Sequence, residues 1–143
     1  MTVKAILARK GNDVVTAEPT ASLADAVKLL NERRIGAVVV TGPDHRIIGI
    51  LSERDIVRTL AEKGTGALNG PIAEAMTRKV VTCAMSDTIA ELMERMTEGK
   101  FRHVPVVDQG RLSGIVSIGD VVKWRLHEME DESNALRDYI RTA

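Results

Sequence analysis

At 143 residues the chain has the size of one average domain, and its 20 Lys+Arg balance its 20 Asp+Glu to a formal charge of zero. With no net positive field, and with Trp124, Tyr139 and Phe101 as the only aromatics, neither nucleic acid nor an anionic membrane surface is an expected partner. The single cysteine, Cys83, excludes an internal disulfide and a thiolate metal cluster, and no stretch reaches 18 uninterrupted apolar residues, so the expectation is a soluble, cytoplasmic protein with an aliphatic core.

In chain order, "VKAIL" (Val3–Leu7) reads as a short helical lead-in. A strand around Val14–Thr16 follows, then a helix capped from "TAS", with Leu23, Val27 and Leu30 at the 4,3 spacing of a buried stripe. "IGAVVV" and "RIIGILS" are two strands joined by a Gly-, Pro- and Asp-containing turn, and a second helix begins near Ser52. "AEKGTGALNGP" (Ala61–Pro71) carries four Gly or Pro and reads as a linker rather than an element.

Beyond the linker the pattern recurs. A shift of 66 residues lays Val15 on Val81, Leu23 on Ile89, Val27 on Met93, Leu30 on Met96, and Val38 and Val40 on Val104 and Val106. "IAEAM" (Ile72–Met76) takes the place of the first lead-in, Val80–Cys83 that of the first strand, and "MSDT" that of the helix cap. After a hairpin turn one residue shorter, "GIVSIGD" (Gly114–Asp120) aligns with "GILSERD" (Gly49–Asp55). The unit is β-α-β-β-α, and it occurs twice. The expected boundaries are repeat one at 1–62, a linker at 63–71, repeat two at 72–127 and a helical tail at 128–143. A copy of this size cannot bury a small sheet alone, so the halves should pack about a pseudo-two-fold axis with a cleft between them.

The two Ser-x-x-Asp strings admit two readings. Ser followed three residues later by an acid is a capping box, so Ser52/Asp55 and Ser117/Asp120 would simply start helices. The same geometry also suits a phosphate at the helix start, with the carboxylate accepting from a vicinal diol. Both roles can coexist.

The Gly-aliphatic-x-Ser-x-x-Asp string after a hairpin, doubled, together with "MT" (Met76–Thr77) and "RHVPV", resembles the tandem cystathionine-β-synthase-type (CBS) repeat, whose pair is called a Bateman module. The resemblance covers about Val3 to Leu126. It implies a regulatory α/β module binding AMP, ADP, ATP, NAD(H) or S-adenosylmethionine, commonly as a homodimer, that acts on a target protein. Carried over by position, Asp55 and Asp120 resemble ribose ligands, and Ser52 and Ser117 resemble ribose or phosphate contacts. Segments around Thr16, and Val81 with Thr82, resemble adenine-edge contacts made largely through backbone. Ile35, Gly36, Ala37 and Val38, with Val104 and Pro105, look like walls of the base pocket. Ile118 and Gly119 complete the second string.

The repeats differ where cations matter: Arg54 precedes Asp55, while Arg102 and His103 stand where repeat one has Gly36 and Ala37. Phosphate reading is placed with Arg54, Arg102 and His103. Adjacent strand residues face opposite ways, so Arg102 and His103 share a pocket only if the strand ends there.

Cys83 reads as a small buried residue, and His45, His103 and His127 share no ligand spacing, so neither catalysis nor a metal site is expected. In the tail, Val122, Leu126, Met129, Ser133, Leu136 and Ile140 form a 4,3,4,3,4 seam for another helix, supplied either by the chain's own body or by a dimer partner. A ligand-independent homodimeric adaptor is the competing reading of the whole.

Overall fold

The structure, a computed structural model, describes residues 1–142. It contains helix α1 (Val3–Lys10), strand β1 (Thr16–Ala17), α2 (Leu23–Arg33), β2 (Ala37–Thr41), β3 (Ile47–Ser52), α3 (Glu53–Lys63), α4 (Ile89–Gly99), β4 (His103–Asp108), β5 (Arg111–Ser117) and α5 (Ile118–Thr142). The architecture is mixed α/β: two repeat-built lobes, with a long C-terminal helix.

In the first lobe β2 is central, parallel to β1 and antiparallel to β3. In the second, β4 and β5 form a hairpin. The strand expected at Val80–Cys83 is reduced to one parallel bridge, Cys83 to Val106. Two hydrogen bonds hold it, the Cys83 amide to the Pro105 carbonyl at 3.0 Å and the Val107 amide to the Cys83 carbonyl at 2.9 Å.

Both repeats start their first helix as the sequence predicts. Ser22 accepts the Asp25 amide, and Thr88 forms a complete capping box with Glu91. The buried rows are Leu23, Ala26, Leu30 and Ile89, Leu92, Met96. Val27 and Met93, expected inside, lie at the exposed edge of the stripe. Positions i+3 and i+4 flank the same face, and in both copies the helix is rolled so that i+3 is the buried one.

Each lead-in packs on the other repeat. Val3, Ile6 and Leu7 of α1 join the core of Ile89, Leu92, Met96, Val104, Val106, Val116 and Trp124. Ile72, Ala75 and Met76 join Leu23, Leu30, Val38, Val40, Leu51 and Ile56. The crossings are equivalent: the Val3 amide donates to the Asp87 carbonyl at 2.8 Å, and the Ile72 amide to the Ala21 carbonyl at 2.8 Å. Two strand glycines make room for them. A Cβ at Gly49 would lie 2.5 Å from Met76 Sδ, and one at Gly114 would lie 2.7 Å from Leu7 Cδ1. The glycine of each repeated string is therefore the seat of a lead-in side chain.

The segment expected to be a linker carries a short turn of its own. Gly64, at φ +77°, ends α3, and a 3-10 turn over Thr65–Asn69 follows. Ala67 and Leu68 pack against the first core, and the Gly70 carbonyl accepts the Leu23 amide at 2.9 Å. Its glycines serve turn geometry while its apolar residues pack.

Candidate functional site

The ends of β3 and β5 bring the two repeated strings to one cleft of about 720 Å³ between the lobes. Ser52, Glu53, Arg54 and Asp55 line it from the first lobe, and Ser117, Ile118 and Gly119 from the second. Thr77, Lys79, Val80 and Val81 line it after the second lead-in, and Gly99 to His103 do so after α4.

Both capping boxes are complete. Asp55 Oδ2 accepts from the Ser52 amide at 2.9 Å and the Ser52 hydroxyl at 3.1 Å, and the Asp55 amide donates back to Ser52 Oγ. Asp120 Oδ2 accepts equivalently from the Ser117 amide at 2.9 Å and hydroxyl at 3.0 Å. The first amide of each helix is satisfied in matching fashion, Glu53 donating to the Gly36 carbonyl and Ile118 to the Arg102 carbonyl.

The carboxylates part company beyond the cap. Asp55 Oδ1 accepts from the Thr77 hydroxyl at 3.0 Å and lies 3.0 Å from an Arg58 guanidinium nitrogen, and its side chain is 6% exposed. Asp120 is 20% exposed and takes Lys10 Nζ at 2.6 Å on Oδ2. Burial works to raise the Asp120 carboxyl, but the Lys10 hydrogen bond and charge and the Ser117 donors together hold it below the usual carboxylate value. Asp120 thus sits beside the cleft, turned to the end of α1, while Asp55 is part of the cleft wall.

Arg102 and His103 both line the cleft because β4 begins at His103 and leaves Arg102 outside the strand's alternation. Gly36 faces His103 so closely that a Cβ there would lie 3.1 Å from the ring. Burial, aided by nearby Lys10, pushes the imidazole below 6.5, against the pull of Glu53 and Asp120. Arg54 crosses the cleft, donating to the Lys100 carbonyl at 3.2 Å. Lys100 and Arg34 end their helices at equivalent left-handed positions, φ 57° and 53°.

Several expected site residues lie elsewhere. Thr16 pairs with Val39 in β1 and is not among the residues lining the cleft. Thr82 lines a separate depression with Arg46, Arg78 and Val107. Ala37, Val38, Val104 and Pro105 are buried within the strands, where both sheet faces are covered. Ile35 lines a shallow apolar depression with Val27, Leu30 and Ile56. Sequence reasoning missed Arg58, Lys79 and Lys100 as cleft cations and Thr77 as the donor to Asp55. Thr77 was visible in the "MT" pair, but its partner lies 22 positions away.

Five Arg or Lys side chains line this cleft (Arg54, Arg58, Lys79, Lys100, Arg102) against two acids, Glu53 and Asp55, in a chain of zero net charge. Ile50, Val80, Val81, Phe101 and Ile118 supply an apolar wall. A charged rim on an apolar wall suits a ligand with a flat apolar body and an anionic tail. Burial, with the Asp87 charge beside it, pushes the Cys83 thiol up to about 12, which removes it as a nucleophile near neutrality. No group of His, Cys, Asp and Glu suited to a metal ion occurs among the described residues, and no described helix is long and apolar enough to cross a membrane.

Known proteins share this fold. A CBS-domain-containing protein of Agrobacterium tumefaciens superposes with a TM-score of 0.86 at 50% identity, over 87% of this chain and 99% of that one. A CBS domain protein of Pyrobaculum aerophilum complexed with AMP matches at 0.74 and 29% identity, over 84% and 89%. A CBS domain pair in complex with 5′-methylthioadenosine and S-adenosyl-L-methionine matches at 0.79 and 27%, over 90% and 98%. The chain is 34% identical over 121 residues to a mitochondrial CBS domain-containing protein of Arabidopsis thaliana, covering 82% of this chain but only 59% of that relative's length. The CBS domain model matches residues 3–62 and again 72–127. The chain belongs to the CBS domain family, as a tandem pair.

Proposed function

We propose that the inter-lobe cleft binds an adenosine-type ligand carrying phosphate (AMP, ADP, ATP or NAD(H)) and that occupancy alters how this regulatory, non-enzymatic module engages a target protein. The observation that carries the reading is the ring of five cations facing two acids on an apolar wall. The base packs on Val80, Val81, Phe101 and Ile118, and phosphate is read by Arg54, Arg102 and His103, with Lys79 and Lys100 adding charge. Asp55 is the ribose carboxylate of this ligand, the sugar hydroxyls taking the places of Thr77 and Arg58, and Asp120, beside the cleft, is the corresponding carboxylate for a second ligand related by the repeat, whose hydroxyls take the place of Lys10. The AMP and S-adenosyl-L-methionine complexes of similar CBS pairs support an adenosine ligand. The cation ring favours the phosphorylated ones over S-adenosylmethionine, itself a cation.

One observation favours the competing adaptor: both capping boxes are satisfied without any ligand. Titration calorimetry and thermal shift with AMP, ADP, ATP, NAD(H), S-adenosylmethionine and adenosine separate the readings. A ligand at a hundred times its Kd adds about 2.7 kcal/mol of stability. Binding that tightens with phosphate number is the expected result. Failure of every compound to bind or shift the melting transition establishes the adaptor instead.

A further inference from the structure

The segment from Thr77 to Cys83 crosses from one lobe to the other, with Thr77 bridged to Ile50 of β3 and Cys83 to Val106 of β4. Its residues alternate between two recesses. Thr77, Lys79 and Val81 line the inter-lobe cleft, Arg78 and Thr82 line a depression of about 420 Å³, and Val80 lines both. The depression lies at the other end of the hairpins. The cleft takes the strand ends at Ser52 and Ser117, whereas the depression takes Arg46 and Ile47 at the first turn and Val107, Gly110 and Leu112 at the second. Two guanidiniums and a hydroxyl line it without an acid, since Asp44 and Asp108, in the two turns, are not among its lining residues. Ile47, Val80, Val107 and Leu112 make its wall apolar.

We propose that this depression is a separate anion site, which binds a small phosphate monoester through Arg46, Arg78 and Thr82 and packs the ester's apolar body on Ile47, Val107 and Leu112. Neither arginine forms an ion pair among the described residues. Arg78 gives one hydrogen bond, to the Ala73 carbonyl at 3.1 Å, and the Arg46 guanidinium and Thr82 hydroxyl give none among the described residues. A carboxylate presents two oxygens in one plane, whereas a phosphate monoester presents three terminal oxygens in a tetrahedral array and so engages both guanidiniums and the hydroxyl together. The site arises from what the second repeat lacks. Where β1 pairs Thr16 with Val39, the corresponding strand is reduced to the Cys83 bridge, which leaves Thr82 outside a ladder. Arg9, which takes the place of Arg78 in the first repeat, is held over the Trp124 ring at 4.9 Å, so the same trio is not assembled across the pseudo-two-fold axis. The site stands whether or not a nucleotide binds in the cleft.

The test is a titration of the full, isotope-labelled chain with phenyl phosphate near neutral pH, read from the backbone amide resonances. Saturable shifts at Thr82, Val107 and Gly110 are expected, with weaker binding of inorganic phosphate, which lacks the apolar body, and of benzoate, which lacks the third oxygen. Arg46→Gln and Arg78→Gln should each weaken phenyl phosphate there by about tenfold, the size of one hydrogen bond to a charged group, and Arg102→Ala, in the cleft, should leave it unchanged. Arg46 and Arg78 are exposed, so both variants should keep the parent spectrum, and Thr82→Val repeats the test without altering charge. Shifts confined to cleft residues such as Ser117 and Gly119 would overturn this site while leaving the cleft reading intact. No saturable shift, equal affinity for benzoate, or arginine variants that bind as the parent does would overturn it as well.

Discussion

Lys10 Nζ lies 2.6 Å from Asp120 Oδ2 and 2.7 Å from the Ile115 carbonyl, so the last turn of α1 is pinned to the start of α5 across 110 residues of sequence. The Asp120 carboxyl, held below 3.8 in the folded chain, contributes stability that is complete above that value and is lost as pH falls through the lower folded value. Lys10→Met removes the strongest influence opposing burial. The expected cost is about 0–1 kcal/mol at pH 7, as for partly exposed pairs, with acid destabilisation beginning at higher pH than in the parent. Melting curves between pH 3 and 7 check it, and superimposable profiles would show the pair to be inert.

Gly49 and Gly114 set the distance between strand and lead-in. Gly114→Ala should cost about 1–3 kcal/mol by overpacking against Leu7, and Gly49→Ala a similar amount against Met76 and the Thr77 carbonyl. The double variant Gly114→Ala with Leu7→Ala should be less destabilised than the two single losses added together, because the clash is relieved. Urea denaturation of the four-member set measures the coupling.

Arg102 is the cleaner of the two arginine tests. Its side chain has no hydrogen-bond partner among the described residues, whereas Arg54 ties α3 to Lys100. Arg102→Ala should weaken ATP binding by about tenfold, corresponding to ~1.4 kcal/mol and in the range of a hydrogen bond to a charged group, and leave adenosine binding and the melting temperature unchanged. Equal losses for both ligands would remove Arg102 from phosphate recognition.

His103 is held below 6.5 by burial and by Lys10. A depressed folded value means that the unfolded chain binds the proton more readily, so its contribution to stability is complete above pH 6.5 and declines as pH falls toward the lower folded value. His103→Gln should flatten that decline. A phosphate placed beside the ring favours its charged form, so ATP binding near pH 6 should take up a proton in the parent and not in His103→Gln. Calorimetry in buffers of differing ionisation enthalpy reads the uptake directly.

The repeat was legible because alternation and helical spacing survive where identity does not: Val38 and Val40 match Val104 and Val106, and all four are fully buried. That repetition led to the expectation of both Ser-x-x-Asp strings at one cleft; Ser52 to Asp55 and Ser117 to Gly119 line it, with Asp120 beside it. What stayed hidden was set by partners distant in sequence. Five-residue lead-ins carry no period that says which sheet they cover. Asp55 and Asp120 look alike in sequence, and only the fold gives one Thr77 and the other Lys10. The segment at 63–71 joins the two repeats, and its glycines mask the packing of Ala67 and Leu68 on the first core.

The crossed lead-ins also order the events of synthesis. As the nascent chain leaves the ribosome, α1 emerges first but has no surface to dock on until the stretch ending at Trp124 has followed it. The earlier sheet is likewise uncovered until Met76 is out. Neither half matures alone, and premature termination anywhere before Trp124 releases a fragment with an unsheltered apolar face, a substrate for chaperones and proteases.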